Sequence, residues 1–142
     1  MTDFADSSYL FSLYVQDANS PAVAARVKQT KLPLLFTDLG ELEIANGIAL
    51  RLFRKELQPP EAREILALFR RDVESGVLRV IPIPSAAYQQ AAQMAARYTP
   101  ALGTRTLDIL QVASAVVLKA DTFYTFDRKQ AKLASSLGLR IL

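Results

Sequence analysis

Short apolar runs alternate with longer segments of mixed polarity along the chain, and this alternation predicts an α/β domain. The apolar runs contain β-branched and aromatic residues and end at polar or turn-forming residues, as buried strands do. They lie at residues 2–5, 34–36, 80–83, 122–126 and 139–142. Because a helical segment separates each run from the next, we expect a mostly parallel sheet that is covered by helices on both faces.

The segment from Asp38 to about Lys55 is predicted to be one of these helices. Its apolar residues recur three or four positions apart, and such a stripe is predicted to face the core. The stripe consists of Leu42, Ala45, Ala49, Leu52 and Phe53. Glu43 and Asn46 lie on the neighbouring face, where they border either a cleft or solvent.

Proline and glycine mark the bounds of the later elements. Pro59 is predicted to begin a helix that ends at Gly76. Pro82 predicts that the third strand lies at an edge of the sheet, because proline cannot donate a hydrogen bond to a neighbouring strand. An alanine-rich helix is then expected from Ala86 to Tyr98, followed by a loop from Thr99 to Thr106.

Acidic residues follow predicted strands or begin predicted helices at four places. Asp6 comes directly after the first apolar run, Glu43 lies one turn into the helix after the second, and Asp127 directly follows the fourth. Asp108 begins a late helix. Asp108 and Asp127 are also suited to cap their helices, since each is followed three residues later by glutamine. If the first, second and fourth strands are neighbours, the acids meet at the carboxyl end of the sheet, where the ligand sites of open α/β sheets gather.

The composition limits the chemistry of such a site. The chain of 142 residues contains no histidine and no cysteine, which excludes Ser-His-Asp and Cys-His catalysis, imidazole or thiolate metal sites and disulfides. Clustered carboxylates repel one another, and two unit charges about 5 Å apart cost ~3 kcal/mol at an effective dielectric constant of about 20. A cation is therefore expected among the acids, and oxygen-only ligands favour Mg²⁺ or Mn²⁺. The formal net charge of +3 favours an anionic partner only mildly.

Four blocks of the sequence resemble, in their order and spacing, the successive blocks of the PIN domain, specifically the VapC-like ribonuclease toxins of prokaryotic toxin–antitoxin pairs. The blocks are ADSSYLFSLY, ELEIANGIAL, TRTLDILQVASAV and TFYTFDRKQAKLASSLGL. The resemblance runs almost end to end, so residues 1–142 are expected to form a single PIN domain. It implies an α/β fold, a three-layer α/β/α sandwich whose mostly parallel sheet has the strand order 3-2-1-4-5.

The resemblance also assigns roles to residues of this chain. The catalytic acids and metal ligands that it implies are Asp6, Glu43, Asp108 and Asp127. Glu43 is chosen over Glu41 because the family's glutamate is commonly followed three residues later by asparagine, as Asn46 follows here. Thr125 matches the family's hydroxyl near the last acid, and Arg105 either contacts a phosphate or is a solvated loop charge.

The implied activity is that of a magnesium- or manganese-dependent endoribonuclease that cleaves single-stranded RNA or an RNA loop. The resemblance further implies a cognate antitoxin protein as a partner, and a homodimer. The sequence shows neither a secretion signal nor an apolar run of about 18 residues. A cytoplasmic protein without membrane contact is therefore expected.

Two alternatives to a nuclease stay open. The first is a catalytically inactive PIN-like module that acts through protein or RNA partners, although the presence of all the implied acids counts against it. The second is an unrelated receiver-type domain with a phosphorylated aspartate. That class has an acidic pair near the first strand, which Asp3 and Asp6 fit poorly, and a lysine after the last strand, which this sequence lacks in the right context.

Overall fold

The computed structural model describes residues 2–142 and shows a five-stranded parallel sheet flanked by helices. The strands are β1 (Asp3–Ala5), β2 (Leu34–Thr37), β3 (Leu78–Ile81), β4 (Thr122–Tyr124) and β5 (Arg140–Ile141). The helices are α1 (Ser7–Tyr14), α2 (Ser20–Val27), α3 (Asp38–Phe53), α4 (Pro59–Glu74), α5 (Ser85–Leu102), α6 (Thr106–Val117) and α7 (Arg128–Ser136). Hydrogen-bonded neighbours follow the order β3-β2-β1-β4-β5, and every pair is parallel. The expected fold class and strand order are therefore confirmed.

The central strands β1 and β4 supply side chains to two cores on opposite faces of the sheet. Phe4 pairs with Phe123 in the register, and their rings stack 5.7 Å apart in the core beneath α5, α6 and α7. The next pair, Ala5 and Tyr124, points into the core formed with α1, α3 and α4. Successive side chains of a strand point to opposite faces, so two buried faces explain why these runs are continuously apolar.

The third strand occupies an edge of the sheet, as Pro82 predicts, but it begins earlier in the chain than expected. β3 runs from Leu78 to Ile81, and Leu78 pairs with Leu34 of β2. Pro82 follows the strand directly. Because Pro82 has no N–H to donate, the hydrogen-bonded ladder ends before it rather than continuing to residue 83.

The predicted buried stripe of α3 is wrong except at Leu52, which is partly buried and packs against the core. Leu42 is 64% exposed and Phe53 is 84% exposed, whereas Ile44 and Ile48 are each 2% exposed and lie in the core. α3 contacts α1 closely at Gly47, where an added Cβ would come within 2.9 Å of the Phe11 ring. The lack of a side chain at that position lets the two helices approach, so the face that includes the two isoleucines becomes the buried one.

The predicted loop from Thr99 to Thr106 is also wrong, because α5 continues to Leu102. Pro100 lies in the last turn of this helix, where the loss of one N–H does not prevent the turn from closing. Gly103 ends the helix with a φ of 64°, and its N–H donates to the Thr99 carbonyl oxygen over 2.8 Å. A residue without a Cβ adopts this left-handed conformation at no steric cost.

Within residues 2–142, no helix combines the length and the apolar character that are needed to cross a bilayer.

Alanine substitutions on the two faces of α3 test which of them is buried. Ile48→Ala is expected to lower the free energy of unfolding by about 2–5 kcal/mol, because it leaves a cavity in a well-packed core. Leu42→Ala is expected to change it by no more than about 0.5 kcal/mol, because the side chain is mostly in solvent. Urea unfolding of both variants measures the difference, and a larger loss for Leu42→Ala would contradict the described packing.

Candidate active site

The polar residues of interest gather at the carboxyl ends of β1, β2 and β4, which are adjacent in the sheet. Asp6 follows β1 directly and caps α1, and Thr37 ends β2 and caps α3. Thr125 and Asp127 come after β4, and Asp127 caps α7. Parallel strands with neighbouring carboxyl ends therefore bring distant parts of the sequence to one edge.

Asp6 is the most buried of the four candidate acids, at 3% exposure. Its carboxylate accepts hydrogen bonds from the Tyr9 N–H over 3.0 Å, from Ser8 Oγ over 2.8 Å and from Thr125 Oγ1 over 2.6 Å. Burial raises the pKa of Asp6 from 3.8 to about 6, the three donors oppose the rise, and the charge of Asp127 adds to it. Loss of hydration is thus a larger effect on this carboxylate than its hydrogen bonds.

Two hydroxyl groups join the segment after β1 to the segment after β4. Thr125 Oγ1 donates to Asp6 and accepts from the Asp127 N–H over 3.0 Å. Ser8 Oγ also donates to Asp6 and accepts from the Phe126 N–H over 3.1 Å. The hydroxyls of Thr125 and Ser8 therefore hold Asp6 in a fixed position relative to the segment that contains Asp127.

Asp127 combines a capping role with a charge that faces the other acids. Its Oδ1 accepts from the Gln130 N–H over 2.8 Å, so the predicted cap is present. The same carboxylate raises the pKa values of Asp6 and Asp108 by repulsion. Asp127 therefore caps α7 and still acts through its negative charge on Asp6 and Asp108.

Asp108 does not cap its helix, contrary to the alternative that its spacing allowed. Arg105 occupies the N-cap position of α6, and Asp108 is the third residue of the helix. Its pKa is raised by burial first and by Asp127 second, and it is lowered by Arg105. In the part of the chain that the structure describes, the Asp108 carboxylate makes no hydrogen bond to protein, so it is open to a ligand.

Glu43 lies in the second turn of α3 and completes the cluster from the side of β2. Its Oε1 accepts from Gln111 Nε2 over 2.8 Å. Burial and the charge of Asp108 raise the pKa of Glu43, while Gln111 and Ser7 lower it. Mutual repulsion therefore links the acids in the series Glu43, Asp108, Asp127 and Asp6.

The two remaining predicted residues lie at the border of this cluster. Asn46 is exposed, one turn beyond Glu43 on α3, and its side chain makes no hydrogen bond to the acids within residues 2–142. Arg105 is exposed, yet it is close enough to lower the pKa of Asp108. The structure thus places Arg105 within electrostatic reach of Asp108, and Asn46 on the turn that follows Glu43.

Two buried glutamines belong to the site although they were interpreted only as partners of helix caps. Gln111 and Gln130 are each 2% exposed. Gln130 Nε2 donates to the Asp108 carbonyl oxygen over 3.2 Å, and Gln130 Oε1 lies 3.2 Å from Thr125 Oγ1, whose one proton is directed at Asp6. The signal in the sequence was a long polar side chain on the apolar face of each helix, since such residues are rarely buried without partners.

A depression of about 300 Å³ opens beside Glu43. Its walls consist of polar side chains and one aromatic ring: Ser7, Ser8, Phe11, Asp17, Asn19 and Glu43. A more enclosed cavity of about 200 Å³ is mainly apolar and is lined by none of the acids of the cluster. The polar depression is therefore the better candidate for holding a substrate next to the carboxylates.

The donor set fits a hard divalent cation in its chemistry, although it is not a ready-made cage. Among residues 2–142, no three acids lie close enough together to form a metal site by themselves. The ion pair recorded within this range joins Arg51 to Glu56 at 3.6 Å and does not involve the cluster. The carboxylates therefore retain their repulsion, and an ion that keeps several waters, as Mg²⁺ does, suits such a loose arrangement of oxygens.

Comparison with known proteins identifies relatives of the fold. A family model described as PIN domain matches residues 4–135. The crystal structure of Mycobacterium tuberculosis VapC20, described as a sarcin-ricin loop cleaving toxin, gives a TM-score of 0.70 at 17% identity over 97% of this chain and 96% of that chain. FitAcB from Neisseria gonorrhoeae gives 0.70 at 16% identity over 99% and 96%. A structure of FitAB bound to an IR36 DNA fragment gives 0.67 at 19% identity over 99% and 94%. No curated protein sequence matches the chain.

Substitution of Asp6 by asparagine tests how much the buried charge of Asp6 lowers the free energy of unfolding. The folded-state pKa of about 6 lies above the ordinary value of 3.8, so the contribution of Asp6 to stability is fully present below pH 3.8 and is lost as the pH rises through 6. The difference between these two pKa values corresponds to a loss of roughly 3 kcal/mol in the free energy of unfolding. Asp6→Asn is therefore expected to be more stable than the wild type by up to about 3 kcal/mol at pH 8 and equally stable at pH 3.5.

Urea unfolding across this pH range, with EDTA present, measures the predicted difference. Glu64→Gln, at an exposed position of α4, controls for the loss of one negative charge from the molecule. An Asp6→Asn variant that is less stable than the wild type at pH 8 would show that the hydrogen bonds of Asp6 outweigh its desolvation.

Proposed function

We propose that this chain, which belongs to the PIN domain family, is a nuclease toxin of a toxin–antitoxin pair that cleaves RNA with the help of Mg²⁺ or Mn²⁺. The observation that carries the proposal is a series of four acids, each repelled by the next, near the carboxyl ends of adjacent parallel strands. Carboxylates that repel one another and form no ion pair within residues 2–142 are expected to bind a cation.

The substrate class is supported by the chemistry of the site and by a structural relative. The relative VapC20 is described as a toxin that cleaves the sarcin-ricin loop. In this chain the depression beside Glu43 offers hydroxyls, an amide and the Phe11 ring. Unstacked nucleotides are commonly bound by such a combination of polar groups and an aromatic side chain, so we infer that an RNA loop or a single-stranded segment is the substrate.

The carboxylates of Asp6, Asp108 and Asp127 would hold the metal, and Glu43 would hold a second ion or the attacking water. When bound, a divalent ion lowers the pKa of a coordinated water and neutralises negative charge on the leaving oxygen. Asp6 is fixed by its three hydrogen-bond donors and Asp127 by its cap, so both present oxygens in set directions. Asp108 has no such bond within the described residues and is the most adaptable of the three.

Other residues of the chain serve the substrate and the attacking water. The chain has no histidine, so the proton of the attacking water must pass to a carboxylate or to solvent. Glu43, whose pKa is raised, suits the task of orienting this water and accepting its proton. Arg105, which lies near Asp108, is the residue that we propose for contact with a phosphate oxygen of the RNA.

The protein partners that we propose are an antitoxin and a second copy of this chain. A toxin of this kind needs an inhibitor in the same cell, and a neighbouring reading frame that encodes a short protein with a DNA-binding segment would support the antitoxin. Exposed apolar side chains such as Leu42, Phe53, Tyr88 and Leu107 are available for such contacts. A cytoplasmic location follows from the same proposal and stays a prediction.

Cleavage of a panel of structured RNAs tests the proposed activity. The wild type is expected to cut in Mg²⁺ or Mn²⁺ and to be inactive in EDTA. Asp6→Ala and Asp108→Asn are expected to reduce the rate at least about 100-fold, because each removes a carboxylate from the reacting centre. Gel analysis of the RNA fragments measures the rate, and calorimetric titration with Mn²⁺ measures binding of the metal.

Glu41→Gln is the matched control for Glu43→Gln. Both residues lie on α3, but Glu41 is exposed and Glu43 is partly buried against Gln111. Glu43→Gln is expected to impair cleavage, whereas Glu41→Gln is expected to stay within about threefold of the wild type. Cleavage that persists in EDTA would contradict the metal dependence. Absence of both Mn²⁺ binding and cleavage would favour the inactive binding module instead.

A further inference from the structure

A chain of hydrogen bonds leads from the first turn of α3 to the carboxylate of Glu43 through two buried side chains. The Gly40 N–H donates to Thr37 Oγ1 over 3.0 Å, and Thr37 Oγ1 donates to Gln111 Oε1 over 2.9 Å. Gln111 Nε2 then donates to Glu43 Oε1 over 2.8 Å. Thr37 is 0% exposed and Gln111 is 2% exposed, so both are shielded from bulk solvent.

The backbone fixes the direction of these bonds. The N–H of Gly40 can only donate, so the Thr37 hydroxyl accepts from it and has one proton left to donate. That proton goes to the carbonyl oxygen of Gln111, which turns the NH₂ group of Gln111 toward Glu43. If the amide of Gln111 were turned by 180°, its oxygen would face the carboxylate oxygen of Glu43, and the Thr37 proton would lack an acceptor. A buried polar group would then be left unsatisfied.

We propose that Gln111 is a positioning residue: its amide, oriented by Thr37, holds the carboxylate of Glu43 as a hydrogen-bond acceptor beside Asp108. The inference rests on the proposed function, because it takes Glu43 to be a group of the active site. A neutral amide suits this task better than lysine or arginine, since it orients the carboxylate without cancelling the negative charge that attracts a cation. Residues that support metal-ligating carboxylates in this way typically change metal affinity by about 10- to 100-fold.

Gln111→Met tests the donor, because methionine has a similar length but cannot donate a hydrogen bond. The variant is expected to bind Mn²⁺ about 10-fold more weakly in calorimetric titration and to show about a 10-fold lower kcat. The KM for RNA is expected to stay within about twofold, because Gln111 is buried and does not reach a substrate. A variant with the Mn²⁺ affinity and kcat of the wild type would overturn the inference.

Ser114→Ala is the control for removing a buried polar group from the same helix. The Ser114 hydroxyl is 0% exposed and donates to the Leu110 carbonyl oxygen over 2.8 Å, away from the acids. This variant is expected to keep the Mn²⁺ affinity of the wild type within about twofold. An equal loss in Ser114→Ala and Gln111→Met would assign the effect to general damage of α6 and would also overturn the inference.

Thr37 allows a test by conservative rescue. Thr37→Val removes the hydroxyl that orients Gln111, and it is expected to reproduce most of the loss in Mn²⁺ affinity. Thr37→Ser keeps the hydroxyl and is expected to restore the affinity to within about twofold of the wild type. Circular dichroism confirms that each variant is folded, because Thr37→Val also removes the cap of α3.

A double-mutant cycle with Glu43→Gln separates positioning from structural support. In the Glu43→Gln background no carboxylate is left to hold, so Gln111→Met is expected to change Mn²⁺ affinity less than about twofold. Equal losses in both backgrounds would overturn the inference, since the effect of Gln111 would then not pass through Glu43.

A readout without metal or RNA distinguishes failure of this inference from failure of the proposed function. Three-bond couplings of the Glu43 side chain, measured by NMR in EDTA, are expected to show one rotamer in the wild type and averaging in Gln111→Met. If Glu43 is held by Gln111 but the wild type neither binds Mn²⁺ nor cleaves RNA, the proposed function fails. If the wild type is active and Glu43 keeps one rotamer in Gln111→Met, the inference alone fails.

Discussion

Burial of the Asp6 carboxylate at the junction of the two central strands is the constraint on which the site depends. The Asp6 N–H donates to the Tyr124 carbonyl oxygen over 3.1 Å, so this residue extends the pairing of β1 with β4. Its side chain also caps α1 and accepts the Thr125 hydroxyl. The same bonds that join sheet and helix therefore fix a carboxylate where hydration is lost, and its raised pKa shows that they do not offset the desolvation. An uncharged residue would be more favourable for stability alone, so the aspartate is better explained by a task that needs the charge.

The side chains that donate hydrogen bonds to the acids of the cluster are hydroxyls and amides. Ser8 and Thr125 donate to Asp6, and Gln111 donates to Glu43. Arg51 lies over the ring of Phe11, and Arg105 acts on Asp108 through its charge without forming an ion pair with it within residues 2–142. Neutral donors fix the direction of a carboxylate and leave its charge intact, whereas a salt bridge would cancel the charge. This pattern is typical of a pocket for an external cation and differs from that of a structural ion-pair network.

The order of elements and the placement of the four acids near one edge of the sheet could be predicted from the sequence, because both depend on local patterns and on the resemblance to a family. Alternating strand and helix segments predicted the parallel sheet, and the residues after β1 and β4 were recognised from their place in the chain. The buried face of α3 could not be predicted, because periodicity alone allows both the stripe with Leu42 and the one with Ile48. The choice depends on the contact of Gly47 with Phe11, which is 36 positions away in the sequence. The role of Gln111 was missed for the same reason, since Thr37 and Glu43 reach it from another helix and another strand.

Three of the four acids lie near the positive end of a helix dipole, and Glu43 does not. Asp6 and Asp127 cap helices and Asp108 lies in a first turn, so each is close to the positive end of a helix. Such an interaction contributes about 0.3–1 kcal/mol and fades beyond the first turn, which leaves Glu43, in the second turn of α3, without it. Gln111 and Ser7 supply to Glu43 the stabilisation of charge that the other acids obtain partly from backbone dipoles. The raised pKa values of Asp6, Glu43 and Asp108 come first from burial, and the repulsion between neighbouring acids adds to it. A divalent cation held among the four carboxylates would offset both effects, which is the physical reason to expect that the site binds one.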